Sequence, residues 1–134
     1  MKITKEADYA LRIVAMLAQS GKQMEAKTIA ERNYIPYRFT LKILRKMVQA
    51  GLLKSYRGVS GGYMLCKEPS EITLRNVIEV IDGEISLNGC LSGKDECLNA
   101  DCVIKRSLAG VQKIITEELD KVNFADILSN ETHS

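Results

Sequence analysis

The chain has 134 residues, with 19 basic and 17 acidic side chains, a formal net charge of +2 and 46% hydrophobic residues. This composition is typical of one folded domain with an appendage, and it excludes intrinsic disorder and fibrous architectures. The only histidine is His133, one residue from the end of the sequence. The sequence therefore has no internal histidine for a Ser/His/Asp site, a zinc helix or a histidine general base. We therefore expect a protein that is not an enzyme.

The apolar runs are short. The longest, Ile13 to Ala18, falls far below the roughly 20 residues of a membrane span. The N-terminal residues also lack the pattern of a secretory signal. We therefore expect a cytoplasmic protein with no membrane partner, whose thiols are kept reduced.

Charge is divided unequally along the chain. Residues 1–65 carry 12 basic and 4 acidic side chains, whereas residues 66–134 carry 7 basic and 13 acidic ones. No acidic residue lies between Glu31 and Glu68. Because an ordinary solvated face mixes both signs, this stretch favours a surface that binds a polyanion such as nucleic acid.

The first half of the sequence predicts three helices. Thr4 can cap a helix that runs to about Ser20, and a second helix spans 26–33. A third helix starts at Pro36 and ends at Gly51. Its predicted apolar stripe contains Phe39, Ile43, Leu44, Met47 and Val48, and its opposite face carries Arg38, Lys42, Arg45 and Lys46. Two helices joined by a tight turn, the second with a basic outer face, are typical of a helix-turn-helix.

A glycine-rich hairpin follows. Residues 52–57 and 63–66 read as short strands on either side of residues 58–62. Such a hairpin after a helix-turn-helix is a wing, and Arg57 is placed to enter a minor groove or meet a phosphate. A phosphate-cradling loop is disfavoured, because the segment joins two strands and lacks a Gly-Lys-Ser/Thr ending.

The second half predicts two more helices. One is capped by Thr73 and stops near Gly83, and a long one starts at about Asp101. The apolar positions of the long helix repeat almost as a heptad: Ile104, Leu108, Val111, Ile115, Leu119 and Val122. A homodimer contact is favoured over simple packing on the N-terminal domain. Residues 123–134 are expected to form a short, partly frayed extension.

Three cysteines lie close together between these two helices. Cys90, Cys97 and Cys102 have the spacing C-x6-C-x4-C. Clustered thiolates select soft metals, namely zinc, copper(I) or the iron of an iron-sulfur cluster. No fourth cysteine or histidine lies within the loop, so common zinc patterns are not matched, and redox-active thiols without metal remain an alternative. Cys66, at the end of a wing strand, reads as a small core residue rather than a ligand.

The sequence resembles a known family over essentially its whole length. The resemblance lies in residues 1–4 with 8–12, residues 35–37, residues 51–53, the wing at 56–65 and the three-cysteine loop before a long helix. These features resemble the IscR/NsrR-like (Rrf-two type) winged-helix transcriptional regulators, above all the nitric-oxide-sensing NsrR-like members.

The resemblance implies a mainly α fold with a small β-hairpin. It divides the chain into a winged helix-turn-helix domain (1–82), a cluster loop (83–102), and a dimerisation helix with a C-terminal tail (103–134). It also implies an iron-sulfur cluster on Cys90, Cys97 and Cys102, and a homodimer that binds a palindromic double-stranded operator.

The fourth cluster ligand departs from one branch of the family. Lys105 stands where IscR-type members carry a histidine, and an ammonium cannot be a ligand. NsrR-like members use a carboxylate near the start of the first helix of the other protomer, and Asp8 matches that position. A 4Fe-4S cluster is thus favoured, with a 2Fe-2S cluster as the alternative. Asp8 can also be read as a first-turn acid favoured by the helix dipole.

The resulting hypothesis is a DNA-binding repressor with no small-molecule substrate. Its operator affinity would be controlled by a cluster that senses nitric oxide, oxygen or redox state, or iron-sulfur status. The residues expected to contact DNA are Arg38, Thr40, Lys42, Arg45, Lys54, Arg57 and Ser60. One alternative is a clusterless regulator that senses thiol oxidation or a small ligand. A second is a small electron carrier, in which the basic stretch would have no use.

Overall fold

The computed structural model describes residues 2–87, 91 and 102–131. The helices in these ranges are α1 (Lys5–Ser20), α2 (Ala26–Asn33), α3 (Tyr37–Gln49), α4 (Leu74–Asp82), α5 (Val103–Lys121) and α6 (Phe124–Glu131). Strands β1 (Leu53–Tyr56) and β2 (Gly62–Leu65) form an antiparallel hairpin, and a 3-10 turn covers Pro69–Glu71. The expected mainly α fold with a winged helix-turn-helix and a small hairpin is confirmed.

Helix α1 runs through the core. The Thr4 hydroxyl accepts the Ala7 amide at 3.1 Å as the N-cap, and Gly21 ends the helix with φ 64°. The helix buries one stripe of apolar side chains, made up of Ala7, Ala10, Ile13, Val14 and Leu17. The predicted limits of this helix are confirmed.

The first inward position of helix α3 differs from the prediction, whereas Ile43, Leu44 and Met47 are buried as predicted. Thr40 is fully buried, at 0% exposure, whereas Phe39 is 40% exposed. The inward positions are 40, 43, 44 and 47, which follow the helical period from a start at Tyr37. Burial of Thr40 is tolerated because its hydroxyl donates to the Pro36 carbonyl at 3.3 Å. The prediction that Phe39 belongs to the core stripe was therefore wrong.

The wing is fixed to the domain on both sides of β2. Leu53 pairs with Leu65 and Tyr56 with Gly62 in the hairpin. On the other side, the Tyr63 amide donates to the Met24 carbonyl at 2.8 Å, and the Met24 amide returns a bond at 3.1 Å. A Cβ at Gly62 would lie 2.6 Å from the backbone of Met24. Glycine is therefore required here for the hairpin to approach the α1–α2 connection.

The C-terminal residues return to the core. Asn123 forms a β-bridge with Thr73, and the Phe124 amide donates to the Ile72 carbonyl at 3.1 Å. Phe124 is almost fully buried in the same cluster as the apolar face of α1. The expectation of a short frayed extension was wrong for residues 123–131, because a large aromatic side chain fixes them.

Candidate nucleic-acid interface and cysteine segment

The outer face of α3 is basic and exposed. Arg38, Lys42 and Arg45 lie on it, as predicted from the helical pattern. The Arg38 guanidinium sits 5.4 Å from the centroid of the Phe39 ring, a cation–π contact that orients it. Thr40 does not belong to this face. The prediction that Thr40 lies at the exposed front of the recognition helix is corrected by its burial against the core.

The wing carries the second group of predicted contacts. Lys54 lies on β1, and Arg57 and Ser60 lie in the turn that follows it, all with exposed side chains. The Gly61 amide donates to the Gly58 carbonyl at 2.9 Å, which closes the turn. Because β2 is held by both β1 and Met24, the wing presents these groups from a fixed base. A basic helix beside a basic wing can follow a DNA backbone and reach its grooves.

An acidic side chain from α1 lies against this basic face. The Glu6 carboxylate is 3.1 Å from the Lys46 ammonium and 3.9 Å from that of Lys42. No acidic residue occurs in the sequence of α3 itself. The counter-charge for these two lysines therefore comes from another helix.

Asp8 lies two residues after Glu6 on the same helix, on nearly the opposite side. Its side chain is 49% exposed and accepts a hydrogen bond from Arg12 at 3.0 Å, an i,i+4 pair. This half-exposed carboxylate is consistent both with a first-turn acid and with an oxygen donor to a group on another protomer.

The cysteines fall partly outside the described residues. Cys90 and Cys97 lie outside them, whereas Cys102 is the half-buried residue that precedes α5, and its carbonyl accepts the Arg106 amide at 3.1 Å. Cys66 is also half-buried, and its amide donates to the Leu52 carbonyl at 2.9 Å next to the hairpin. Within the described ranges, no three metal-ligating side chains lie together.

Helix α5 leaves one apolar face uncovered by its own protomer. Val103, Ile104, Val111 and Ile114 are between 49% and 64% exposed. Leu108, Ile115 and Leu119 of the predicted seam are half-buried instead, on the side of α5 that contacts α4. The predicted seam therefore includes residues of two surfaces of α5, one that packs on the protomer and one that is exposed.

Comparison with known proteins decides the family. Residues 3–130 match the Rrf2 family, described as iron-dependent transcriptional regulators. The chain belongs to the Rrf2 family. This confirms the resemblance inferred from the sequence.

Three relatives show the range of the Rrf2 family around this chain. The NsrR regulator of Bacillus licheniformis is 30% identical over 99% of this chain and 96% of its own. The structure of T. potens IscR matches with a TM-score of 0.79 and 28% identity, over 98% of this chain and 88% of that one. The structure of CymR, the global cysteine regulator of B. subtilis, matches with a TM-score of 0.81 and 31% identity, over 97% and 98%.

These matches establish the general activity of this Rrf2-family member. It is a DNA-binding transcriptional regulator and not an enzyme, as the lone histidine suggested. None of the helices within the described ranges combines the length and apolarity that crossing a membrane requires.

Sequence reasoning missed one feature of the helix-turn-helix. Tyr34, between α2 and α3, has φ 56° and ψ 40° and a side chain that is 92% exposed. A tyrosine in the left-handed region is uncommon, because that backbone conformation suits glycine or asparagine. Tyr37 and Phe39 are exposed beside it, so the tip of the helix-turn-helix is aromatic. The three aromatic residues at positions 34, 37 and 39 were the available sequence signal for this aromatic tip.

Proposed function

We propose that this chain is a homodimeric repressor whose operator affinity is controlled by a 4Fe-4S cluster. Cys90, Cys97 and Cys102 would hold the cluster together with Asp8 of the partner subunit. When bound, such a cluster supplies a group that responds to nitric oxide, oxygen or the redox state. Arg38, Lys42, Arg45, Lys54, Arg57 and Ser60 would contact DNA.

The donor set carries the cluster proposal. Three thiols are soft ligands that iron-sulfur clusters favour, and a carboxylate is a harder and more weakly held donor. Asp8 is half-exposed on the first turn of α1, and its carboxylate pairs with the surface residue Arg12. Release from a surface ion pair costs about 1 kcal/mol or less. The carboxylate can therefore reach a group held by another chain at little cost.

The open face of α5 supports the dimer. Four large apolar side chains of α5 are exposed, from its first turn, next to Cys102, to its middle. Pairing this face with a second copy would bury it and bring the cysteine segment of one protomer near the other protomer. It would also give two recognition helices and two wings, which suits a palindromic operator.

Iron and acid-labile sulfide per chain, measured on protein purified without oxygen, test the cluster. We expect close to four of each in the wild type and in Cys66→Ser, and loss of both in Cys102→Ser. A value near two would instead support a 2Fe-2S centre.

The role of Asp8 has its own matched pair of variants. Asp8→Ala should lose iron or release it faster on exposure to nitric oxide. Arg12→Ala, which breaks the same ion pair but keeps the carboxylate, should retain the wild-type content. Equal iron content and release in all three proteins would leave Asp8 as a helix-terminal acid.

A clusterless regulator is the second candidate. The similarity to CymR, described as the global cysteine regulator of B. subtilis, favours it. In that case the protein would hold neither iron nor sulfide after reconstitution, and oxidation of its thiols would change its affinity for DNA.

A further inference from the structure

Two lysines of the recognition helix pair with one acidic side chain from another helix. Among the described residues, the ion pairs of Lys42 and Lys46 are both made with Glu6 of α1. The Glu6 side chain is only 25% exposed, and its bond to Lys46 is a hydrogen bond of 3.1 Å. Residues 32–67, which include all of α3, contain no acidic residue.

A carboxylate and a DNA phosphate compete for the same lysine donors. An ammonium that already pairs with a carboxylate gains less from a phosphate, and its release of counterions on binding is smaller. Lys42 lies on the exposed face of α3, at the longer distance of 3.9 Å, so it can exchange Glu6 for a phosphate.

We propose that Glu6 is a positioning residue that restrains the recognition helix. Its carboxylate takes the place of a phosphate in the free protein, holds Lys42 and Lys46 against α1, and lowers the affinity of α3 for DNA. This inference rests on the contact of α3 with DNA, which belongs to the proposed function.

The position of Glu6 links this restraint to the segment that contains the cysteines. Thr4, two residues earlier, donates its hydroxyl to Asp82 Oδ1 at 2.5 Å. Asp82 is the last residue of α4, directly before residues 83–102 in the sequence. A shift of the first turn of α1 would therefore move the carboxylate relative to both lysines.

Glu6→Gln tests the restraint, because the amide keeps the size of the side chain and removes its charge. We expect the full-length variant to bind a non-specific duplex of about 25 base pairs three- to fivefold more tightly at low salt. A plot of log K against log salt should steepen by about 0.9 for each lysine that gains a phosphate contact. Fluorescence anisotropy at four or five salt concentrations measures both quantities.

Glu31→Gln is the matched control, since it removes the same charge from an exposed position of α2. It should leave the affinity and the salt slope close to those of the wild type. The effect of Glu6→Gln should also shrink when Lys42 and Lys46 are both replaced by Gln, because the partners of the carboxylate are then absent. Equal effects of the two single Glu variants, or an unchanged effect in the Lys double variant, would overturn the proposal.

The binding of the wild type and of Glu6→Gln together separates this inference from the proposed function. If the wild type shows no salt-dependent binding to any duplex, the DNA face itself is wrong. If the wild type binds and Glu6→Gln matches it, only the restraint is wrong. Thermal unfolding of each variant checks that α1 remains folded, and a folded Glu6→Gln protein with weaker binding would also count against the restraint.

Discussion

At the scale of a single residue, Tyr34 has a strained backbone conformation. Its φ of 56° lies in the region where an L residue with a Cβ carries an energetic cost of about 1–2 kcal/mol. Because the side chain is 92% exposed, it recovers little of that cost through packing. The turn between α2 and α3 therefore stores strain at the centre of the helix-turn-helix.

Tyr34→Gly should stabilise the fold. Relief of the left-handed strain exceeds the extra unfolded-state entropy of glycine, so we expect a gain of about 0.5–1 kcal/mol. Urea unfolding followed by circular dichroism measures it. Tyr37→Gly is the control, because Tyr37 is the first residue of α3 and has no left-handed strain to relieve, so glycine there should not stabilise the fold. A loss of stability in Tyr34→Gly would show that the tyrosine ring contributes to the native state.

The wing is the element whose contribution to DNA binding can be isolated. Arg57 follows β1 in the exposed turn, whereas Lys54 lies within β1. A guanidinium at the tip can enter a narrow minor groove, and a lysine on the strand can only meet the phosphate backbone.

Arg57→Ala and Lys54→Gln should therefore weaken binding in different ways. We expect Arg57→Ala to lose most affinity on duplexes with an A/T-rich narrow minor groove at the wing position. Lys54→Gln should lose affinity equally on all duplexes and flatten the salt slope by about 0.9. Titrations on paired A/T-rich and G/C-rich duplexes measure both. If Arg57→Ala shows no sequence preference, the wing does not enter the groove.

Elements with local signals could be predicted, and those fixed by distant contacts could not. The caps Thr4 and Thr73 located the starts of α1 and α4, because an N-cap bond depends on residues three positions apart. Ile43, Leu44 and Met47 of α3 were predicted correctly. The prediction placed Phe39 inward instead of Thr40, since Phe39 is the more hydrophobic side chain and Thr40 is buried only through its bond to Pro36. Phe124 was missed because its burial depends on pairing with Ile72, far away in the sequence.

The candidate site was also predictable where its features are local in the sequence, and not where they depend on distant contacts. The basic face of α3 and the wing follow from local pattern and from the absence of acids between positions 31 and 68. The pairing of Glu6 with α3 is a contact across 40 positions, and no local pattern indicates it.

At the scale of the whole molecule, α5 separates two surfaces. One side, with Leu108, Gln112 and Ile115, faces the protomer, where Gln112 accepts the Leu87 amide at 2.9 Å. The neighbouring side exposes Val111 and Ile114. With about 100° between successive residues, Ala109 lies on nearly the opposite side of the helix from Val111. A substitution at Ala109 is therefore a control for the same substitution at Val111, within one turn of the helix.

Val111→Glu should separate the proposed dimer. In a twofold interface each substitution occurs twice, and an unpaired buried charge costs about 3 kcal/mol or more, so dimer affinity should fall at least 100-fold. Light scattering at micromolar protein concentration should show monomers, with circular dichroism unchanged because Val111 is exposed in the protomer. Ala109→Glu should remain dimeric, and binding to a two-half-site duplex should weaken only in Val111→Glu. A dimeric Val111→Glu protein would place the interface on another surface.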